Sequence, residues 1–378
     1  MAVEITDPAQ LRAALVDWLP KLFAANGRTV TGLTVSPLSK PRTGQSNETV
    51  LFNASWQEAG RSRETGLVLR RQPRANQMFL DADVVREGRL IQRLGQVSPI
   101  AVPAIYAIEP DPEPLGAPFF LMARIEGHVP AGTPSVHRDP WLQALTPRQR
   151  TRLLRNAITS LAGVHNVPVT QVRTILDPQG TGGTLDADVE NLQRWYDWAR
   201  RDRSFPILDR ALRTIRDGLG YEPDQTVLLW GDPRPGNMIF SEDLDVAAVL
   251  DWELAAIGPA GLDVGWWLMM DEFARRAAGG DTLAGFPTED DVVAAYQADT
   301  GWVIDDLDFY RLVAAVKLAI TLIPAADSLV ARAILPEQTR FAHDNVPTQV
   351  VARLLGIAEP GLSPDYRRLS RMDRARQP

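Results

Sequence analysis

Hydrophobic residues in the first third of the chain come in short strand-like runs, whereas beyond Glu126 they recur mostly at helical spacing. Asp7-Pro8, an N-cap followed by a proline at the first helical position, opens a helix over QLRAALVDWLPKLF. Runs with strand character follow at 31–37, 48–56 and 64–71. The stretch QEAGRS between the last two predicts a hairpin turn, and SKPRTGQSN between the first two predicts a polar loop. A helix over 82–95 comes next, then two more strands within AVPAIYAIE and APFFLMARIE. From Glu126 on, amphipathic helices are expected near 148–165, 186–201, 205–219, 261–278, 288–299 and 306–333, with strand-like pieces grouped at 226–251. The pattern predicts a β-rich N-terminal domain, 1–125, and a larger, mainly helical C-terminal domain, 126–378, joined by a strand near 118–125. Ligand clefts favour such junctions. The arginine-rich stretch from Gly361 reads as a solvated tail.

Composition narrows the chemistry. The 378 residues include no cysteine, which excludes disulfides, thiolate nucleophiles and Cys-based zinc sites and fits a reducing, cytoplasmic setting. Forty basic against 47 acidic residues, a net charge of −7, argue against general nucleic-acid binding. The longest apolar runs, such as LAITLIPAA, are too short to span a bilayer, and the start carries no secretory pattern, so no membrane partner is expected. Only Lys21, Lys40 and Lys317 are lysines, so arginine must supply most cationic roles.

Residues 228–240, LLWGDPRPGNMIF, set an acid and an amide five apart on a stiff loop, and the apolar run that follows ends in Asp251-Trp252-Glu253. A β-hairpin here brings Asn237, at the start of one strand, near Asp251, at the end of its partner. Both offer hard oxygens suited to magnesium, with Asp232 beside them. This spacing is the layout of a kinase catalytic loop and its metal-binding segment: Asp232 would orient and deprotonate an alcohol, while Asn237 and Asp251 would hold Mg2+ on nucleotide phosphates. A turn in which Asp and Asn merely cap backbone groups would use the same residue types.

Upstream, Val84, Glu87, Ile91 and Leu94 share one helical stripe, and a carboxylate on an apolar stripe needs a cation. Arg70, in the strand ending VLRR, is the candidate partner, and a strand cation paired with a helix glutamate is how kinases position phosphates. Alternatively both are surface charges. The loop PRTGQSN could cover phosphates with its glycine, hydroxyls and amides, although any hairpin loop needs such residues.

WGDPRPGN followed by VLDWELAAIGPAGLDVG resembles the aminoglycoside phosphotransferase family of small-molecule kinases, most closely the branch related to kinase domains attached to acyl-CoA dehydrogenases. The resemblance spans about residues 35–330 through GQSNET, VLRR, REGRLIQRL and FFLMARIEG. It implies an α+β, two-lobed, protein-kinase-like fold and transfer of the γ-phosphoryl group of ATP, with Mg2+, to a small-molecule hydroxyl. It implies Asp232 as base and Asn237 and Asp251 as metal ligands. Gly44, Ser46 and Asn47 would cover the phosphates, Arg70 and Glu87 would position them, and the segment Met122–Ile125, with Met122 and Arg124, would hold the adenine. Asp263 would brace the catalytic loop. Two positions depart from the family: Trp230 stands where the family usually has a loop-supporting histidine, and Arg70 where many members have lysine. A catalytically degenerate, nucleotide-binding member is therefore the alternative reading.

The four histidines have no metal-ligand spacing, and His165 reads as structural. Trp195, Trp198, Trp266 and Trp267 could line an acceptor pocket or pack the core, and Asp271 and Glu272 could attract a cationic acceptor or face solvent.

Overall fold

The computed structural model describes residues 7–41, 48–73, 80–132, 135–219, 225–280 and 282–372. Two compact units meet in sequence at Glu126–Gly127.

In the first unit, Asp7 accepts a hydrogen bond from the Ala9 amide and caps helix α1 (Pro8–Ala25). A five-stranded antiparallel sheet of order β1-β2-β3-β5-β4 follows, built from β1 (Thr31–Val35), β2 (Glu48–Glu58), β3 (Arg61–Arg71), β4 (Ile105–Glu109) and β5 (Phe119–Ala123). The hairpin turn is the two residues Ala59 and Gly60, both left-handed (φ 49° and 71°), between paired Glu58 and Arg61. That geometry matches the twist of its strands, which run longer than the sequence pattern implied. Between β3 and β4 lies α2 (Val84–Val97), capped by Asp83.

Alternation along β3 sets up the site. Leu67 and Leu69 share a core with Leu11, Leu15 and Leu19 of α1, together with Phe119 and Leu121 of β5. Val68 and Arg70 therefore point to the other face. On α2, Val84, Glu87, Ile91 and Leu94 are all buried, as the stripe predicts, and Gly88 lies against Phe120.

The second unit contains α3 (Pro140–Ala144), α4 (Pro147–His165), α5 (Arg173–Leu176), α6 (Leu185–Arg200) and α7 (Pro206–Asp217). Two antiparallel ribbons follow, β6 (Thr226–Leu229) paired with β9 (Ala256–Pro259), and β7 (Met238–Phe240) paired with β8 (Val246–Val249). Then come α8 (Gly261–Ala277), α9 (Glu289–Thr300), α10 (Leu307–Ala331), α11 (Val346–Leu354) and α12 (Pro364–Met372). One core joins α6, α7, α8, α10 and α11 through residues such as Leu192, Leu208, Met269, Ile320 and Val350.

Three features differ from the sequence expectation. Strand β9 pairs with β6 rather than extending the group at 226–251. Residues 364–372 of the expected solvated tail instead form α12, whose Tyr366 is buried with its ring centroid 5.3 Å from that of Phe341. Helix α10, at 25 residues, is long and apolar enough to cross a membrane by length and composition. Within this unit, half of its most apolar stretch is buried and it carries Lys317 at mid-length.

Candidate active site

Strand β6 delivers the chain into Trp230-Gly231-Asp232. Gly231 has φ 91°, and a Cβ there would lie 2.2 Å from the Leu254 carbonyl oxygen, so only glycine fits. Asp263, in the first turn of α8, accepts hydrogen bonds from the Trp230 amide at 2.6 Å and the Gly231 amide at 3.0 Å. Behind it, His165 contacts Asp263 at 3.1 Å through Nε2 and the Tyr296 hydroxyl at 2.7 Å through Nδ1, all buried. Asp263 thus braces the loop, and His165 is structural.

Lysine 317 adds a second brace. Its Nζ donates to the Gly231 carbonyl at 2.8 Å and lies 4.6 Å from the centroid of the Trp266 ring. Burial pushes this ammonium below the usual lysine range, against the attraction of Asp263, Asp232 and Asp188. Burial likewise pushes the Asp188 carboxyl up to about 7, opposed by Lys317 and reinforced by Asp263. No motif in the sequence assigns Lys317 a role. Its signal was present: a lone cation inside an apolar helical run.

Three donors hold the Asp232 carboxylate. Trp266 Nε1 donates to Oδ1 at 2.6 Å and Asn237 Nδ2 donates to Oδ2 at 2.7 Å. Arg234 Nε donates to both oxygens, at 3.2 and 3.0 Å. Each oxygen thus accepts two contacts, the longer being the one from Arg234, whose place an incoming hydroxyl would have to share. The Arg234 charge is disfavoured by burial but held above the usual arginine range by Asp232, with Asp251 adding to it. A Cβ at Gly132 or Gly236 would come within 2.7 or 3.0 Å of Arg234 Nη1, so both glycines make room for the guanidinium.

Asn237 ends a short turn before β7, and Met238 pairs with Val249 of β8, so the hairpin forms as its sequence implied. The Leu250 amide donates to the Asn237 carbonyl at 2.9 Å, which sets Asp251 one residue beyond the paired end. Asp251 itself is left-handed, φ 63°. Trp230, where the resemblance leads one to expect a histidine, donates from Nε1 to the Leu250 carbonyl at 2.8 Å, tying the loop to the segment before Asp251.

The residues suit magnesium that arrives with phosphates. Asn237 Nδ2 is engaged by both the carboxylate and the carbonyl of Asp232, which turns the amide oxygen the other way, and Asp251 adds a carboxylate. Among the described residues no three His, Cys, Asp or Glu side chains form a metal-binding group. An ion held by one or two protein oxygens and completed by substrate phosphates is how magnesium usually binds.

In the first unit, Arg70 and Glu87 form the expected pair, Nη1 to Oε1 3.4 Å, both buried. Met122 is buried in β5, paired with Val68. Arg124 donates to Asn53 at 2.8 Å and Glu126 at 2.9 Å, and its guanidinium lies over Gly66. Gly44, Ser46 and Asn47 lie outside the described residues.

Of the tryptophans considered for an acceptor pocket, Trp267 lines a cavity beside Arg234. Trp266 packs in the helical core while reaching Asp232, and Trp195 and Trp198 pack against that core. Glu272 is not available to an acceptor, because it is buried and bound by Arg276, Arg311 and Arg353 at 3.0, 3.2 and 2.7 Å.

Comparison with known proteins agrees with this architecture. The chain is 28% identical over 287 residues to mouse acyl-CoA dehydrogenase family member 10, covering 73% of the chain and 25% of that protein. It is 26% identical over 265 residues to the Arabidopsis thaliana probable acyl-CoA dehydrogenase IBR3, covering 66% of the chain and 30% of that protein. It thus spans only a minor part of these relatives. Among solved structures, a Ralstonia eutropha JMP134 protein provisionally designated an aminoglycoside phosphotransferase superposes with a TM-score of 0.62 at 22% identity, covering 95% and 98% of the two chains. The ternary complex of aminoglycoside phosphotransferase APH(4)-Ia with ADP and hygromycin B gives 0.55 at 15%, covering 91% and 98%. These likenesses show a protein-kinase-like phosphotransferase fold. The profile of the phosphotransferase enzyme family matches residues 38–310, and the chain belongs to that family.

Proposed function

We propose that the protein transfers the γ-phosphoryl group of ATP, with Mg2+, to a hydroxyl of a small molecule. The observation that carries the reading is the grouping around Asp232: a braced backbone, a carboxylate fixed by three donors, and Asn237 and Asp251 brought to the same end of one hairpin.

The acceptor hydroxyl hydrogen-bonds to Asp232, which orients it and takes its proton as the new oxygen–phosphorus bond forms. Trp266, Arg234 and Asn237 hold the carboxylate plane, so little reorganisation accompanies that proton transfer. Magnesium, held by Asn237 and Asp251, would neutralise charge on the phosphates. Arg70, fixed by Glu87, would bind phosphate oxygens. The departures that motivate a degenerate, binding-only alternative are both accommodated: Trp230 ties the loop to Leu250, and Arg70 has its glutamate.

The test is Asp232→Asn, with single-turnover transfer and nucleotide binding measured side by side. Transfer is expected to fall by about 10²–10⁴-fold with nucleotide affinity retained. Undiminished transfer rules out Asp232 as the base.

A further inference from the structure

Resting on that reading, we infer that the acceptor is a slim, mainly apolar alcohol carrying one further hydrogen-bond donor, received by Asp271, rather than a polycation. Beside the catalytic loop lies a narrow cavity of about 50 Å³, roughly four times the space that one water needs. Arg234, Pro235 and Gly236 form its catalytic-loop end. Trp267, Met270, Asp271 and Ala274 line it at helical spacings of three, one and three along α8, and Phe286 and Val292 contribute from the segment leading into α9 and from α9 itself. Most of this wall cannot hydrogen-bond, so a heavily hydroxylated or multiply charged body would lose its hydration without replacement.

Besides Arg234 at the loop end, the charged residue in this lining is Asp271. Its Oδ2 accepts from Arg275 at 2.9 Å, while Oδ1 accepts no hydrogen bond among the described residues. The nearest ring nitrogen, His137 Nε2, is 3.8 Å away, beyond hydrogen-bond range. His137 is buried against Phe286, and neither of its ring nitrogens has a hydrogen-bond partner. The apolar wall thus presents one carboxylate oxygen able to accept a hydrogen bond. Because Arg275 offsets the negative charge, a second hydroxyl or a single ammonium suits it. With Glu272 bound by three arginines, α8 gives no second carboxylate to this cavity. Trp267 and Asp271 are one turn apart, about 6 Å along the helix.

The test uses the full chain with short n-alkanols, α,ω-diols and ω-amino alcohols matched in length, and kanamycin. Binding is followed by ligand-observed NMR without nucleotide, and phosphorylation is followed with ATP and magnesium. Diols or amino alcohols are expected to bind at least about tenfold more tightly than the alkanol of equal length, a difference that Asp271→Asn abolishes. Whichever of the two binds better identifies the donor as hydroxyl or ammonium. Ala274→Leu, which fills the cavity, is expected to weaken all of them, and kanamycin is expected not to compete. Equal binding of alkanols and diols, or insensitivity to both substitutions, overturns the inference. Selective binding without transfer leaves the pocket assignment standing and sinks the phosphotransferase reading. Transfer to kanamycin, unaffected by either substitution, does the reverse.

Discussion

Lys317 reaches out of the apolar helix α10 to the carbonyl of Gly231, one residue before Asp232, and its ammonium lies over the ring of Trp266, which itself holds Asp232. One buried cation thereby supports both the backbone and the side-chain brace of the proposed base. Lys317→Met keeps the helix apolar but leaves Asp263, Asp188 and Asp232 without their shared counter-charge. Removing one partner from a buried charge group costs about 3–5 kcal/mol. A lower urea midpoint and at least a tenfold loss of turnover are expected; unchanged unfolding would show that the carboxylates do not depend on the lysine.

Trp266→Phe separates packing from hydrogen bonding. The ring over Lys317 remains, while the donor to Asp232 Oδ1 is deleted. Turnover is expected to drop about tenfold, the worth of one hydrogen bond to a charged group, with nucleotide KM unchanged. Steady-state kinetics decide it, and a rise in KM alone would count against a role for Trp266 in holding Asp232.

Glu87→Ala removes a buried carboxylate from the Arg70 guanidinium. Arg70 and Glu87 are 9% and 2% exposed, so the cost is expected near 3 kcal/mol, accompanied by a higher nucleotide KM. Thermal denaturation with and without ATP checks both. If Glu87→Ala weakens stability while leaving KM unaltered, the pair is structural only.

His137 makes stability depend on pH. Burial, aided by the Arg275 charge, lowers its pKa from 6.5 to about 4. Between those values the unfolded chain holds the extra proton, so this residue's stability contribution is complete above about pH 6.5 and is lost as pH falls towards 4. The loss is on the order of 3 kcal/mol. The native protein is expected to lose stability relative to His137→Phe as pH falls through that window. Parallel curves would mean that His137 titrates normally.

Periodicity made the helices legible because their apolar stripes are long, and it exposed Glu87 as the one charge on an apolar face. The hairpin carrying Asn237 and Asp251 was readable for a local reason: a stiff loop, a polar turn and two short apolar runs adjoin in sequence. What escaped was assembled over long separations. Strand β9 is too short to announce a partner some 30 residues earlier, and α12 folds because Tyr366 meets Phe341. Lys317 and Trp266 act on Asp232 from 85 and 34 residues away, and no local pattern encodes which apolar helix will lie under which loop. Glu272 and Asp271 are neighbours in sequence, yet one is engaged by three arginines and the other faces a cavity, a distinction that only packing creates.

Asp251 turns out of its strand with a backbone that glycine would adopt more comfortably. Directed evolution screened only for heat resistance should therefore drift this position towards glycine, gaining a fraction of a kcal/mol to about 1 kcal/mol from relieved strain. On the proposed role of Asp251 such lineages would be sturdier and inert, so any thermostabilisation campaign on this chain needs a turnover screen at every round.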